Sequence, residues 1–107
     1  MRNFGIGMEW SGDAVHLRVR GELDISVAGS LLERVEAMEG SSAQLVIVDL
    51  AELTFLDSAG LKALLAAQQA GADGGFEVLV VRTPKAVRRV IDVAGADRIL
   101  RLADQPG

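Results

Sequence analysis

Apolar and polar residues alternate along the first twenty residues, as they do in strands that are buried on one face. The apolar side of the first predicted strand comprises Phe4, Ile6, Met8 and Trp10. In the second, the apolar residues Val15, Leu17 and Val19 alternate with His16, Arg18 and Arg20. Ser11-Gly12-Asp13 between them is typical of a turn. The pattern therefore predicts a β-hairpin, continued by residues 21–25 with Leu23 and Ile25 as apolar anchors.

A helical spacing follows the hairpin. The predicted buried stripe is Leu31, Leu32, Val35 and Met38. Ser26 can cap this helix, or Ser30 and Glu33 can form a capping box one turn later. Gly40 is expected to end it.

The apolar run of residues 45–48, closed by Asp49 and Leu50, predicts a strand buried on both faces. A polar turn is expected next. Asp57-Ser58-Ala59-Gly60 then leads into leucines at helical spacing, at positions 61, 64 and 65. We expect this second helix to stop at Gly71, before a flexible turn at residues 73–75.

The last third of the chain repeats the strand–helix alternation. Residues 76–81 predict another buried strand. Thr83 as cap and Pro84 as first helical residue open a third helix that Gly95 closes. Its predicted apolar face is Val87, Val90, Ile91 and Ala94. Ile99, Leu100 and Leu102 suggest a last short strand, and residues 103–107 a frayed end.

This order predicts an α/β fold with a mixed sheet of four to five strands and about three helices. The hairpin should be antiparallel and the later strands parallel, joined by right-handed crossovers. With 107 residues the chain is expected to form a single domain over 1–107, with an ordered core at about 4–103.

Composition narrows the function classes. The chain has 50% hydrophobic residues but no apolar run near the roughly 20 residues that cross a bilayer. It has no cysteine and no signal-peptide pattern, so a cytoplasmic location is the default expectation. The net charge of -4 and the 4% aromatic content disfavour direct binding to nucleic acid, although the segment after Val81 is basic.

Ser58 is the residue on which a functional interpretation depends, because it stands where a helix is expected to begin. It could cap the helix, act as a nucleophile or accept a phosphate. Asp57 can cap equally well, which would leave the hydroxyl of Ser58 free. A nucleophile needs a base. The single histidine, His16, is predicted on an exposed strand face, Lys62 reads as an exposed helix lysine, and no G-x-S-x-G elbow is present. A hydrolase is therefore rejected.

Three segments resemble a known family: RVRGELDIS, VIVDLAELTFLDSAGLKALL and VLVVRTPKAVRRVIDVAGADRILRL. The chain is similar over nearly its whole length to STAS domains, and most closely to the bacterial anti-sigma factor antagonists. The most specific part is Asp57-Ser58-Ala59-Gly60-Leu61 after the buried strand and Phe55. Residues 21–24 alone are weak evidence.

The resemblance implies a partner switch. An ATP-dependent anti-sigma factor serine kinase would phosphorylate Ser58, and a serine phosphatase would restore binding. Unphosphorylated antagonist would bind the anti-sigma factor and free the sigma factor. The implied partner-binding residues are Asp24, Thr54, Asp57, Ser58, Ala59, Gly60 and Leu61. Thr54 also reads as a turn residue and Asp24 as a strand-to-helix residue. The chain would be no enzyme, with no cofactor, metal, nucleic acid or membrane partner.

Alternatives stay open. A STAS domain could instead serve as a subunit of a transporter, such as the partner of a lipid-transport ATPase, or of another signalling complex. A receiver-like domain phosphorylated on Asp49 is the rival from another class, but the acidic pair and the late-strand lysine of receivers are missing. Asp49 more simply reads as a strand-end carboxylate bonded to backbone N–H groups. Family members commonly carry a further C-terminal helix. This chain stops at Gly107, so that helix is absent or trimmed, and the face that it would cover is then expected to be exposed.

Overall fold

The computed structural model describes residues 4–103, in which strands and helices alternate after an opening hairpin. The strands are β1 (Gly5–Ser11), β2 (Ala14–Leu23), β3 (Leu45–Asp49), β4 (Leu53–Leu56), β5 (Glu77–Val81) and β6 (Leu102–Ala103). The helices are α1 (Ala28–Glu36), α2 (Ser58–Gly74) and α3 (Lys85–Val93), followed by a short 3₁₀ helix at Ala96–Arg98. All but Ala103 of the predicted frayed end lie outside the described residues.

The strands form one mixed sheet in the order β1-β2-β3-β5-β6. β1 and β2 are antiparallel, and the later pairs are parallel. β4 lies off this path and pairs in parallel with the last residues of β2, where the register shifts between Gly21 and Glu22. The α/β fold with a hairpin, parallel later strands and three helices is thus confirmed. The predicted polar turn after β3 was wrong in part, because it contains β4.

The core lies on one face of the sheet, between the strands and the three helices. Val15 pairs with Val46, and Val46 with Val78, so their side chains share that face. They join Leu31 of α1 and Ile91 of α3 in one buried cluster. On the opposite face, Leu45 and Ile47 of β3 are only half-buried. The prediction that this strand is buried on both faces therefore holds only in part.

Several predicted helix ends were wrong, for identifiable reasons. Val27 precedes α1 without a side-chain cap, so neither Ser26 nor Ser30 caps it. Helix α2 continues past Gly71 to Gly74, because the residue with left-handed backbone is Gly75, at φ 83°. Gly71 is buried in the helix interior, where an added Cβ would lie 2.7 Å from the carbonyl oxygen of Phe76.

The remaining differences are small or concern the edges of the fold. Pro84, not Thr83, is the capping position of α3. Gly40 follows α1 after a turn rather than ending it directly. Apolar side chains expected to be buried are exposed at Met8, Trp10, Ile25 and Ile99. Ala94, the residue after α3, is also exposed, although Val87 and Ile91 within α3 are buried.

Candidate functional site

The N-terminus of α2 is capped by Asp57, one of the two caps that the sequence left open. Asp57 has extended backbone, and its carboxylate Oδ1 accepts a hydrogen bond from the N–H of Gly60 at 2.8 Å. Its carbonyl oxygen accepts from the N–H of Leu61 at 2.9 Å. Ser58 is the first helical residue and is exposed to solvent. The capping function thus falls to Asp57, and the side chain of Ser58 is accessible from outside.

Neither of the two bases considered for Ser58 in the sequence, His16 and Lys62, is placed to activate its hydroxyl. The Nε2 of His16 lies 2.9 Å from a carboxylate oxygen of Asp49 and is engaged there. Lys62 is exposed to solvent, whereas a lysine that activates a nucleophile needs a desolvated position.

The end of β2 lies directly against the start of α2. The carbonyl oxygen of Leu23 accepts from the N–H of Asp57 at 3.4 Å. A Cβ added to Gly60 would collide with that oxygen and would lie 2.8 Å from Cδ1 of Leu56. Only glycine allows this close approach. It places Asp24, the next residue after Leu23, beside the helix that begins at Ser58.

We expect Gly60→Ala to destabilise the protein by about 2 kcal/mol or more, since backbone must move to admit the methyl group. Gly29→Ala in α1 is the matched control, because nothing lies within 4 Å of a Cβ there. The control should be neutral or stabilising by up to about 1 kcal/mol, from helix propensity. Urea denaturation of both variants checks this. Equal stabilities would show that the contact between Gly60 and Leu23 does not constrain the helix start.

Asp24 organises the turn that starts α1. Its carboxylate Oδ1 accepts hydrogen bonds from the backbone N–H of Ser26 at 3.0 Å and from its hydroxyl at 2.7 Å. Its carbonyl oxygen accepts from the N–H groups of Val27 and Ala28. Asp24 is half-buried. It therefore has the structural role that its sequence position suggested, and part of its surface is still accessible.

The other residues implied by the resemblance divide into accessible and supporting ones. Thr54 is exposed on β4, and its hydroxyl donates to the carbonyl oxygen of Gly21 at 3.0 Å. Its interpretation as a turn residue was wrong. Ala59 is half-buried, whereas Gly60 and Leu61 are buried. An approaching protein would meet Ser58 and Thr54 directly, with Gly60 and Leu61 fixing the helix beneath them.

Sequence reasoning missed the apolar surface around Ser58. A groove of about 370 Å³, which we term the α2–α3 groove, is lined by Ser58, Leu61, Arg89, Val90, Val93 and Ala94. The exposed fraction of Val93 is 81%. Val93 lies outside the buried stripe of α3, and an apolar residue on the polar face of a helix was the available signal.

A separate buried cluster lies at the carboxyl end of β3. Asp49 is only 2% exposed, and its carboxylate accepts from Arg82 Nη2, from the N–H of Ala51 and from His16, each at 2.9 Å. The bond to Ala51 agrees with the strand-end interpretation; Arg82 and His16 were not foreseen. Arg82 has left-handed backbone, at φ 53°. This burial and pairing leave Asp49 poorly placed to accept a phosphate.

The charges around Asp49 alter its acidity. Burial alone would raise the pKa of the carboxyl. The hydrogen bonds from Arg82, Ala51 and His16, together with the charge of Arg82, outweigh burial and hold the pKa below its ordinary 3.8. The carboxyl is thus ionised at neutral pH and acts as a structural anion.

Two further observations concern the part of the chain between residues 4 and 103. It holds no group of three histidine or acidic side chains placed to bind a metal ion. None of its helices is long and apolar enough to cross a membrane.

Comparison with known proteins gives a consistent result. The family model described as "Mlab, STAS domain" matches residues 6–102. The anti-sigma F factor antagonist of Paenibacillus polymyxa is 27% identical over 103 residues, 95% of this chain and 88% of that protein. The anti-sigma-F factor antagonist RsfB of Mycobacterium tuberculosis is 31% identical over 86 residues, 80% of this chain and 70% of that protein.

The fold is shared with a solved structure of a protein of the same description. The crystal structure of an anti-sigma factor antagonist from Mycobacterium paratuberculosis has a TM-score of 0.80 and 28% sequence identity. The match covers 94% of this chain and 85% of that one.

Proposed function

Since this chain belongs to the STAS-domain family, we propose that it is an anti-sigma factor antagonist whose partner binding is controlled by phosphorylation of Ser58. The unphosphorylated form binds an anti-sigma factor and releases a sigma factor. The observation that carries the proposal is Ser58 itself, exposed at the first position of α2 and relieved of capping by Asp57. The two relatives that bear the name of anti-sigma factor antagonist support it.

For phosphate transfer, this chain has only to present an accessible serine hydroxyl. The anti-sigma factor acts as an ATP-dependent serine kinase: the γ-phosphoryl group moves to Oγ of Ser58, ADP leaves, and the hydroxyl proton passes to a base of the kinase. A serine phosphatase hydrolyses the ester and restores the hydroxyl. The chain is thus a substrate and binding protein in the cytoplasm, and no enzyme.

Phosphorylation alters the surface with little cost to the fold. The phosphate carries about -1.5 to -2 charges at neutral pH. The first turn of a helix tolerates negative charge, because its free N–H groups form the positive end of the helix dipole. The same charge would meet the partner beside the apolar side chain of Val93, which lines the groove together with Ser58 and is 81% exposed. Desolvating it there would favour release.

Transfer of phosphate from ATP tests this proposal. We expect the purified anti-sigma factor, given ATP and Mg²⁺, to place one phosphate on the peptide that contains Ser58. Ser58→Ala should accept none, and Thr54→Ala should accept as much as wild type. Peptide mass spectrometry makes the measurement. Phosphate on Thr54 or on another peptide, or none at all, would overturn the proposal.

The family description favours one second candidate. The matching model is described as "Mlab, STAS domain" rather than as an antagonist, so a STAS subunit of a transporter, partnered with a lipid-transport ATPase, is the alternative. That role requires no phosphate on Ser58. Binding of a transporter ATPase with equal affinity to wild type and to Ser58→Asp would support it.

A further inference from the structure

The α2–α3 groove beside Ser58 contains a single charged side chain. Of its lining residues, Leu61, Val90, Val93 and Ala94 are apolar, Ser58 is neutral, and Arg89 is the cation. Arg89 is exposed and forms no ion pair with any residue of the range 4–103. Its neighbour Arg88 differs in this respect, since it donates to Asp92 at 2.8 Å. The groove therefore presents an uncommitted guanidinium in the same cavity as the serine hydroxyl.

We propose that Arg89 binds the phosphate on Ser58, so that phosphorylation closes the α2–α3 groove as well as adding charge. The proposal rests on the proposed function, because it concerns the phosphorylated form. A guanidinium presents two parallel N–H donors to a phosphate, and such charge-assisted pairs are among the stronger hydrogen bonds in proteins. Bound in this way, Arg89 would lie across Leu61 and Val93.

The other charges near Ser58 are less well placed for this role. Lys62 lies one helical turn beyond Ser58, but it lines a different groove, between α1 and α2, with Ala28 and Leu32. The carboxylate of Asp57 accepts from the N–H of Gly60, and that of Asp24 accepts from Ser26. Both carboxylates repel a phosphate. Arg89 is thus the cation whose position in the groove favours binding of the phosphate on Ser58.

Closure of the groove explains how one modification would remove an apolar contact. In the unphosphorylated form the groove, of about 370 Å³, is open and can receive an apolar side chain of the anti-sigma factor. With the guanidinium drawn toward position 58, that side chain loses its site. Release of the partner then follows from lost apolar burial together with charge repulsion.

The acidity of the phosphate tests the pair directly. We would install phosphoserine at position 58 of the full chain during translation and follow its second ionisation by ³¹P NMR. Arg89→Gln is expected to raise the second pKa of the phosphate by about half a unit, because the nearby cation favours the dianion. Lys85→Gln, on the same helix but outside the groove, is the matched control and should leave that pKa within about a tenth of a unit.

Two outcomes would overturn the inference. One is a pKa in Arg89→Gln equal to that in Lys85→Gln. The other is a larger rise of the phosphate pKa in Lys62→Gln than in Arg89→Gln, which would assign the phosphate to the lysine.

The methyl NMR signals of Val90 and Val93 give a second readout. They should shift on phosphorylation in wild type and shift less in Arg89→Gln.

The titration tests the contact between Arg89 and the phosphate separately from the proposed function. Phosphoserine is supplied in translation, so no kinase or partner enters the titration. If Arg89 binds the phosphate but the anti-sigma factor never phosphorylates Ser58, the proposed function is wrong. The ion pair between Arg89 and phosphoserine 58 would then be correct without a regulatory role. If phosphate transfer occurs but Arg89→Gln leaves the pKa unchanged, the proposed function stands and this inference is wrong.

Discussion

Ser58→Asp is expected to weaken binding of the anti-sigma factor at least about a hundredfold, which is about 2.7 kcal/mol. The carboxylate would face the partner in the groove that the exposed side chain of Val93 also lines, next to Asp57, which is already negative. Removing water from this additional anion costs free energy that the contact does not return. Isothermal titration calorimetry of the purified pair, at one fixed salt concentration, measures the change.

Two variants control for charge and for the loss of the hydroxyl. Ser42→Asp places the same charge on an exposed serine before β3, at the opposite end of the sheet from Ser58. It should bind as wild type does, and Ser58→Ala should bind within a few-fold of wild type. The thermal midpoints of Ser58→Asp, Ser58→Ala and Ser42→Asp should agree within a few degrees. Position 58 tolerates these changes because it starts a helix and is exposed. Equal weakening by Ser42→Asp would reduce the effect to net charge.

Asp49→Ala is expected to destabilise the protein by about 2–3 kcal/mol at pH 7. Three donors lose their acceptor: Arg82, His16 and the N–H of Ala51. A void also remains, because Asp49 is only 2% exposed. Arg82, whose backbone is left-handed, also loses its ion pair with the carboxylate at position 49. Chemical denaturation gives the free energy of unfolding.

The same carboxyl makes part of the stability depend on pH. Its pKa in the folded protein lies below the ordinary 3.8, so its contribution is fully present above that value and is lost as the pH falls below it. The difference between wild type and Asp49→Ala should therefore narrow as the pH falls below about pH 4. Glu33→Ala, at an exposed position on α1, should differ from wild type by no more than about 0.5 kcal/mol throughout. A difference between wild type and Asp49→Ala that widens below about pH 4 would contradict this account.

Periodicity predicted the architecture where one face of an element is buried. The alternation in β2 placed Val15, Leu17 and Val19 in the core, where all three have no exposed surface. The stripe of α1 was similarly correct at Leu31 and Val35. In these elements local pattern and tertiary burial agree, so the sequence alone was sufficient.

Other features depend on contacts between distant residues and could not be derived from spacing. The strand β4 has four residues and exists because it pairs with the end of β2. Gly71 resembles a helix stop in the sequence, but it lies within α2, where the absence of a side chain allows close contact with Phe76. Residues at the edges, such as Trp10 and Ile25, look like core residues until the sheet and helices are placed.

The candidate site shows the same division. That the cap is Asp57 or Ser58 followed from the order of residues at a helix start, and the structure shows that it is Asp57. The α2–α3 groove did not, because α3 lies more than twenty residues beyond Ser58 in the sequence and only the fold joins them. The Asp49–Arg82–His16 cluster likewise joins side chains of β2 and β3 with the residue after β5, which only the order of strands in the sheet brings together.

Capture of the partner from the native cell lysate tests the central claim most directly. The full chain, unphosphorylated and immobilised through its C-terminus, is used as bait, and the retained proteins are identified by mass spectrometry. The account predicts an ATP-binding anti-sigma factor that is absent when Ser58→Asp is the bait. A transporter ATPase retained equally by both baits would contradict it and would make the chain a transporter subunit.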